Sequence, residues 1–271
     1  IYADQRTGSI DLKVQKLGSG YAPHWDNGGL TVMEGLDGDI KYARNFRNGD
    51  DDLFLVWEDN RASKKIYGTR ITDGTVQMEN GVQLTFSDNS SQETDFSTPV
   101  VAKSNDGFFT ATFYGLSTPK YIRLNKVDNQ LNNLWDSSGV ALTPVQDMRF
   151  AYLIPVGDGV GCFWSEQRLF TYDVYYQRID SDGNLMLESG GIELVDSSGD
   201  DYILSVVPTP DGKLLIFWVE EVWPAFKLMF TKIDYDGNIE IGWNPNGNSL
   251  SNSYFDARNL QVKVIDDNSG V

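Results

Sequence analysis

VGDGVGCFWSEQRLFTYDVYYQRIDSDGNLMLESGGIEL, residues 156–194, reads as three strands joined by two kinds of turn. Residues 161–164 form a short apolar run, closed by the polar corner Ser165-Glu166-Gln167-Arg168. Residues 173–179 alternate, with Val174, Tyr176 and Arg178 on one face and Tyr175, Gln177 and Ile179 on the other. That period of two is the mark of a strand. Asp180-Ser181-Asp182-Gly183-Asn184 is a tight turn, because Gly and Asn tolerate the positive φ that hairpins need. A last strand, 185–194, is interrupted by Gly190-Gly191.

The unit repeats. A large apolar residue followed by a glycine step recurs at Trp25–Gly29, Met78–Gly81, Trp135–Gly139, Leu187–Gly191 and Trp243–Gly247. These glycines are 52, 58, 52 and 56 residues apart, and 53 apart when the two chain ends are joined. A period that survives joining the ends is the sign of a closed ring of five units. A second motif marks the second strand of each unit: Val56-Trp57-Glu58-Asp59-Asn60-Arg61, Phe163-Trp164-Ser165-Glu166-Gln167-Arg168 and Phe217-Trp218-Val219-Glu220. FFTATFYGL at 108–116 is a degenerate copy, and Ile1-Tyr2-Ala3-Asp4-Gln5-Arg6 is a fifth that lacks its first strand. Residues 256–265 near the other end supply that strand, which removes an exposed sheet edge. The expected fold is therefore all-β: a five-bladed β-propeller of four-stranded antiparallel blades, one domain over 1–271, its N-terminal blade closed by the C-terminal strand. First strands are expected near 39–47, 95–103, 147–156, 201–208 and 256–265. Trp57, Trp164 and Trp218 on the second strands, and Trp25, Trp135 and Trp243 at the fourth, are expected to be core residues between blades.

Composition narrows the function. The chain has 271 residues and a net charge of −17, which argues against nucleic acid and anionic membrane surfaces as partners. No run of eighteen apolar residues is present to insert into a membrane as a helix. Cys162 has no second cysteine to pair with and lies in an apolar strand, where a buried inert thiol is expected. His24 is the one histidine; a Ser-His-Asp or Cys-His centre would need it, yet it falls near a turn beside Trp25. No cofactor and no metal site is expected. The chain opens without Met, so processing is expected.

The blocks VWEDNR…IYGTRI, FWSEQR…VYYQRIDSDGN and LWDSSGVAL resemble the repeat of secreted bacterial β-propeller proteins of the Bacteroidetes type. That family carries W-x-D-x-R, a YAQRID-like strand, a DG turn and a W-x-x-x-G strand. The resemblance covers essentially the whole chain and implies an extracellular or cell-surface location. It assigns no activity. The third and fifth units depart from it, with Tyr114-Gly115-Leu116 and Glu220-Glu221-Val222 at the corner.

Two places are candidate binding sites. An aspartate opens each expected first strand: Asp39, Asp95, Asp147, Asp201 and Asp256, at steps of 52 to 56 residues. In a propeller they would ring the channel mouth, on the side of the longer loops, and take a cation or a cationic ligand. The preferred expectation is that each caps a turn or pairs with a corner arginine, Arg6, Arg61 or Arg168, with Arg44, Arg149 and Arg258 also near. That would leave Asp95 and Asp201 without a corner partner. The second place is the corner 222–226, where Trp223 beside Pro224, with Phe226, offers an apolar face for a sugar or peptide. Phe170 and Tyr172 repeat this more weakly. The Asp180 and Asp234 turns stop short of a calcium loop and read as turn chemistry. The expected function is a non-catalytic extracellular module that binds a glycan or a protein, or a surface component touching neighbouring surface proteins. The rival is a glycoside hydrolase using channel-mouth aspartates.

Overall fold

The computed structural model describes residues 1–4, 10–26, 28–36, 40–47, 52–59, 65–84, 100–114, 121–136, 139–142, 147–222 and 225–250. All regular structure among them is β. The first sheet holds β1 (Tyr2–Asp4), β2 (Ile10–Val14) and β3 (Leu30–Leu36). The second holds β4 (Ile40–Arg47), β5 (Asp52–Asp59), β6 (Lys65–Thr72), and the short β7 (Thr75–Val76) and β8 (Val82–Gln83). The third is β9 (Val100–Lys103), β10 (Gly107–Tyr114), β11 (Tyr121–Asp128) and β12 (Val140–Ala141). The fourth is β13 (Asp147–Val156), β14 (Gly159–Gln167), β15 (Tyr172–Ile179) and β16 (Ile192–Val195). The fifth is β17 (Asp200–Pro208), β18 (Leu214–Val222), β19 (Ala225–Ile233) and β20 (Asn248–Ser249).

Strands follow one another in space as in sequence, all antiparallel, except that β8 pairs with β6 beside β7. The expected first-strand bounds of the fourth and fifth sheets match β13 and β17. In the third sheet β9 begins at Val100, and 85–99 lie outside the described residues, as do 251–271. The chain divides into two compact units, residues 1–116 with 123–140, and 117–122 with 141–271.

Inside each unit consecutive sheets pack face to face. In the first unit Leu12 and Val14 of β2 and Val32 and Met33 of β3 meet Leu55, Trp57, Tyr67 and Ile71. The other face of that second sheet, Phe54, Val56 and Ile66, meets Phe108, Val127 and Leu131. In the second unit Val156, Phe163, Val174 and Tyr176 pack on Ile203, Ile216, Trp218 and Ile233. A sheet buried on both faces needs apolar residues at successive positions, which is why LFLVW and VGCFW show continuous runs.

Trp57, Trp164 and Trp218 are buried core residues, as their recurrence implies. Trp135 is buried as expected, whereas Trp25 and Trp243 are half-buried, and the place of all three corrects the expectation. They lie in the bends before β3, β12 and β20, not in the fourth strands. The positive-φ glycines Gly29, Gly139 and Gly247 stand between each tryptophan and its strand, and such a residue breaks the extended run.

The first strands share a feature that the sequence does not announce. β4, β13 and β17 each carry a bulge, between Lys41 and Arg44, Arg149 and Ala151, and Ile203 and Ser205. At the last of these Ile203 N donates to the buried Ser165 Oγ of β14 at 2.8 Å, tying the fourth sheet to the fifth.

Candidate functional site

In the second unit the starts of the first strands and the ends of the second strands share one edge. Asp147 stands opposite Gln167, and Asp201 opposite Glu220. The corner between β14 and β15 lies at the same edge. The two described members of the aspartate series are thus at strand starts, as expected, and their surroundings differ.

Asp147 is half-buried and is claimed by an aromatic neighbour. The Tyr172 hydroxyl donates to its Oδ2 in a short hydrogen bond. Burial and that bond together push the Tyr172 phenol up to about 12, so it stays a donor at all ordinary pH. The Arg149 guanidinium lies over the Tyr172 ring at 4.5 Å and over the Tyr202 ring at 5.7 Å. The two rings are 5.2 Å apart. Asp200 completes the group, accepting from Tyr172 N at 3.0 Å and from the Tyr202 hydroxyl at 3.3 Å. A cation resting against two neighbouring phenol rings, whose own polar groups bond two carboxylates, makes a polar cluster.

Asp201 is fully buried. Its Oδ2 accepts from Ser197 N at 3.2 Å, and its Oδ1 finds no hydrogen-bond partner among the described residues. Burial pushes its carboxyl up to about 7, with Glu220 and Asp173 adding to the rise and the Ser197 hydrogen bonds opposing it. Asp173, opposite Glu166 in β14, is raised to about 6 by burial and by Glu193, Asp196 and Asp200. A carboxyl removed from water among other carboxylates holds its proton to a higher pH than usual.

The corner arginine goes elsewhere than expected. Arg168 Nη2 bonds Glu166 Oε2 at 3.1 Å and the Gly190 carbonyl at 2.6 Å. Its guanidinium lies 3.8 Å over the Tyr175 ring. The same Glu166 oxygen accepts from Trp164 Nε1 at 2.9 Å. Trp164, Glu166 and Arg168 are alternate residues, and alternation puts Trp164 and Glu166 on one strand face. The motif therefore satisfies itself inside its own sheet and does not neutralise Asp147 or Asp201. In the fifth sheet Lys227 of β19 pairs with Glu220 at 3.1 Å, in place of the missing arginine.

The corner itself is exposed. Leu169 and Phe170 are 83% and 90% accessible, although the turn is held by Gln167 Nε2 donating to Phe170 O at 2.9 Å. Phe226, expected in a loop, lies half-buried in β19 opposite Glu221, because β18 and β19 stay paired as far as Val222 and Ala225. Trp223, Asp39, Asp95 and Asp256 lie outside the described residues, as do Arg6, Arg61 and Arg258. Tyr202, Asp173 and Asp200 were missed by the sequence reading. The doublet Asp200-Asp201 was the signal, since only one of two adjacent strand residues can face the core.

The Asp180 and Asp234 turns are closed by their own chemistry. Asp180 Oδ1 accepts from Asp182 N at 2.9 Å and Asn184 N at 2.8 Å, and its Oδ2 from Asn184 Nδ2 at 2.9 Å. Asp234 repeats this with Asp236 and Asn238, and Asp128 with Gln130 and Asn132. Among the described residues no three His, Cys, Asp or Glu side chains gather as a metal site. Cys162 is buried and its thiol pKa is raised by that burial.

No protein-family model matches the chain, and no curated protein sequence does. Among solved structures the chain is similar to an endo-arabinase from Bacteroides thetaiotaomicron, at 14% identity over 78% of this chain and 80% of that one, with a TM-score of 0.45. It is similar to the GH93 α-L-arabinofuranosidase of Fusarium graminearum in complex with arabinobiose, at 11% identity over 78% and 68%, TM-score 0.49. It is also similar to the GH32 β-fructofuranosidase BmSUC1 of Bombyx mori, at 17% identity over 72% and 50%, TM-score 0.43. The chain spans half the length of this last protein.

Proposed function

We propose that the chain is a carbohydrate-binding module, and that the β14–β15 corner of the second unit is its platform. The observation that carries this is Phe170, 90% exposed on a turn whose backbone is pinned. Exposing a phenyl ring to water is unfavourable, and holding it rigidly there suits stacking against the apolar face of a sugar ring. Beside the corner in sequence stands the buried Tyr172, its hydroxyl spent on Asp147, and against it lie the half-buried Asp200 and Arg149, groups suited to bonding sugar hydroxyls. The module is proposed to be a closed five-bladed propeller, its first sheet completed by 256–265, at an extracellular or cell-surface location. A protein ligand at the same corner is the other partner this surface would suit.

One observation favours the rival reading, glycoside hydrolysis. The Asp201 carboxyl titrates near 7, the range a general acid needs. Its complete burial keeps it from a substrate in this arrangement, and Asp147 is occupied by Tyr172. Hence binding without turnover is the reading preferred.

A glycan array probed with the full chain tests both. The expected result is retention of a restricted set of glycans, lost with Phe170→Ala at an unchanged melting temperature, with no released sugar. No bound glycan, or binding indifferent to Phe170, would overturn the reading; release of sugar abolished by Asp201→Asn would establish the rival. Removing residues 256–271 is expected to aggregate the chain, because the first sheet would keep an open edge.

A further inference from the structure

The first unit holds a cavity of about 310 Å³ at the opposite strand ends, where β2, β4 and β6 finish and β5 begins. Its lining includes Gln15, Lys16, Trp25, Asn45 and Arg47 over apolar Leu53 and Ile71. This volume falls at the lower end of ligand pockets. We propose that it is a second carbohydrate site, for a short saccharide that carries a carboxylate.

Charge argues for the carboxylate. The chain has a net charge of −17, yet the described lining carries Lys16 and Arg47 against a single carboxylate. Among the described lining residues the one carboxylate, Asp52, has both oxygens bound by Arg70, at 2.6 and 2.7 Å. Arg47 forms no ion pair with any described residue, and Lys16 adds a second positive charge. A guanidinium with its fork open is the group best matched to a carboxylate.

Preorganisation argues for a ring. Trp25 N donates to Gln15 Oε1 at 3.1 Å, and Gln15 Nε2 donates to Asp26 O at 3.1 Å. A Cβ on Gly74 would come within 2.8 Å of the Trp25 indole nitrogen, so that glycine leaves the ring its place. The turn that starts at Gly18, next to Leu17 of the lining, adds a separate sign. It has the backbone hydrogen bonds of the Asp180 and Asp234 turns. Where those turns place Gly183 and Gly237, it places Tyr21 with φ 63. Leu131 also holds this position with positive φ, but is buried. Tyr21 is 85% exposed, so packing gives nothing back for the strain. A strained aromatic kept in solvent, on the turn between the lining residues Leu17 and Trp25, fits a contact to ligand.

The inference is independent of the Phe170 corner. Titration calorimetry of the full chain with a digalacturonate and with its neutral disaccharide counterpart tests it. The acidic sugar is expected to bind at least about tenfold more tightly. Arg47→Ala, at an exposed position, should erase that preference, and Tyr21→Gly should weaken binding while keeping or raising the melting temperature. Phe170→Ala should change nothing here. Equal affinity for the two sugars, no binding at about 10 mM, or full binding by Arg47→Ala would overturn it.

Discussion

Gly191 lies against the indole of Trp164: a Cβ on that glycine would stand 2.6 Å from Trp164 Cη2. Gly81 meets Trp57 and Gly247 meets Trp218 in the same way, at 2.4 and 2.3 Å. The two repeated motifs, one on the second strand and one before the fourth, are thus two halves of one contact. All three glycines also have positive φ. Gly191→Ala is expected to cost roughly 2–4 kcal/mol, from overpacking together with the left-handed backbone. Adding Trp164→Phe should return part of this, with a coupling of about 1 kcal/mol or more in chemical denaturation. Additive losses would show that the contact is not what fixes the glycine.

Arg168→Ala is expected to destabilise by roughly 1–3 kcal/mol, since buried Glu166 keeps only the Trp164 indole as a described partner. Arg168→Lys should recover only part. An ammonium cannot lie flat on Tyr175 while bonding both Glu166 and the Gly190 carbonyl. Full rescue by lysine in thermal melts would reduce the arginine to a point charge.

Asp201 and Asp173 titrate near 7 and 6, above the ordinary aspartate value of about 3.9. The folded chain therefore holds protons that the unfolded chain has released. The stability these groups lend is full below about pH 4 and is lost as pH rises through 6 to 7. Asp201→Asn should be more stable than the parent by roughly 1–3 kcal/mol at about pH 8, and should flatten the fall between about pH 4 and pH 7. An unchanged melting-temperature profile in the variant would show that Asp201 is not the group responsible.

Asp180→Ala removes three hydrogen-bond acceptances in one turn and is expected to cost about 1 kcal/mol. Calcium or a chelator should leave the melting temperature of the parent chain unmoved. A calcium-dependent rise lost in Asp180→Ala would mean that these turns bind the ion after all.

The fold was legible where one residue type serves one local need. Gly183 and Gly237 announce positive φ, alternation at 173–179 announces a strand, and the Trp and Gly motifs announce their own recurrence. Site geometry was legible only as position. The starts of β13 and β17 were found from their aspartates, but the company those aspartates keep was not. Tyr202, far from Tyr172 in the chain, reaches it only because β17 packs beside β13 and β15. The bulges in β4, β13 and β17 escaped because a bulge adds a residue without changing residue type.

By itself the sequence determined an all-β chain with a period near fifty residues, the order of strands inside each sheet, and the burial of the second-strand tryptophans. Those properties follow from turn chemistry and side-chain periodicity, which act over a few residues. Only the tertiary structure decided that Arg168 serves Glu166 instead of the aspartates, that Asp201 is sealed while Phe170 stands in water, and that a cationic cavity opens in so acidic a chain. Those outcomes depend on which partner lies nearest in space, and a side chain spends its hydrogen bonds on neighbours that the chain's path brings to it from distant positions.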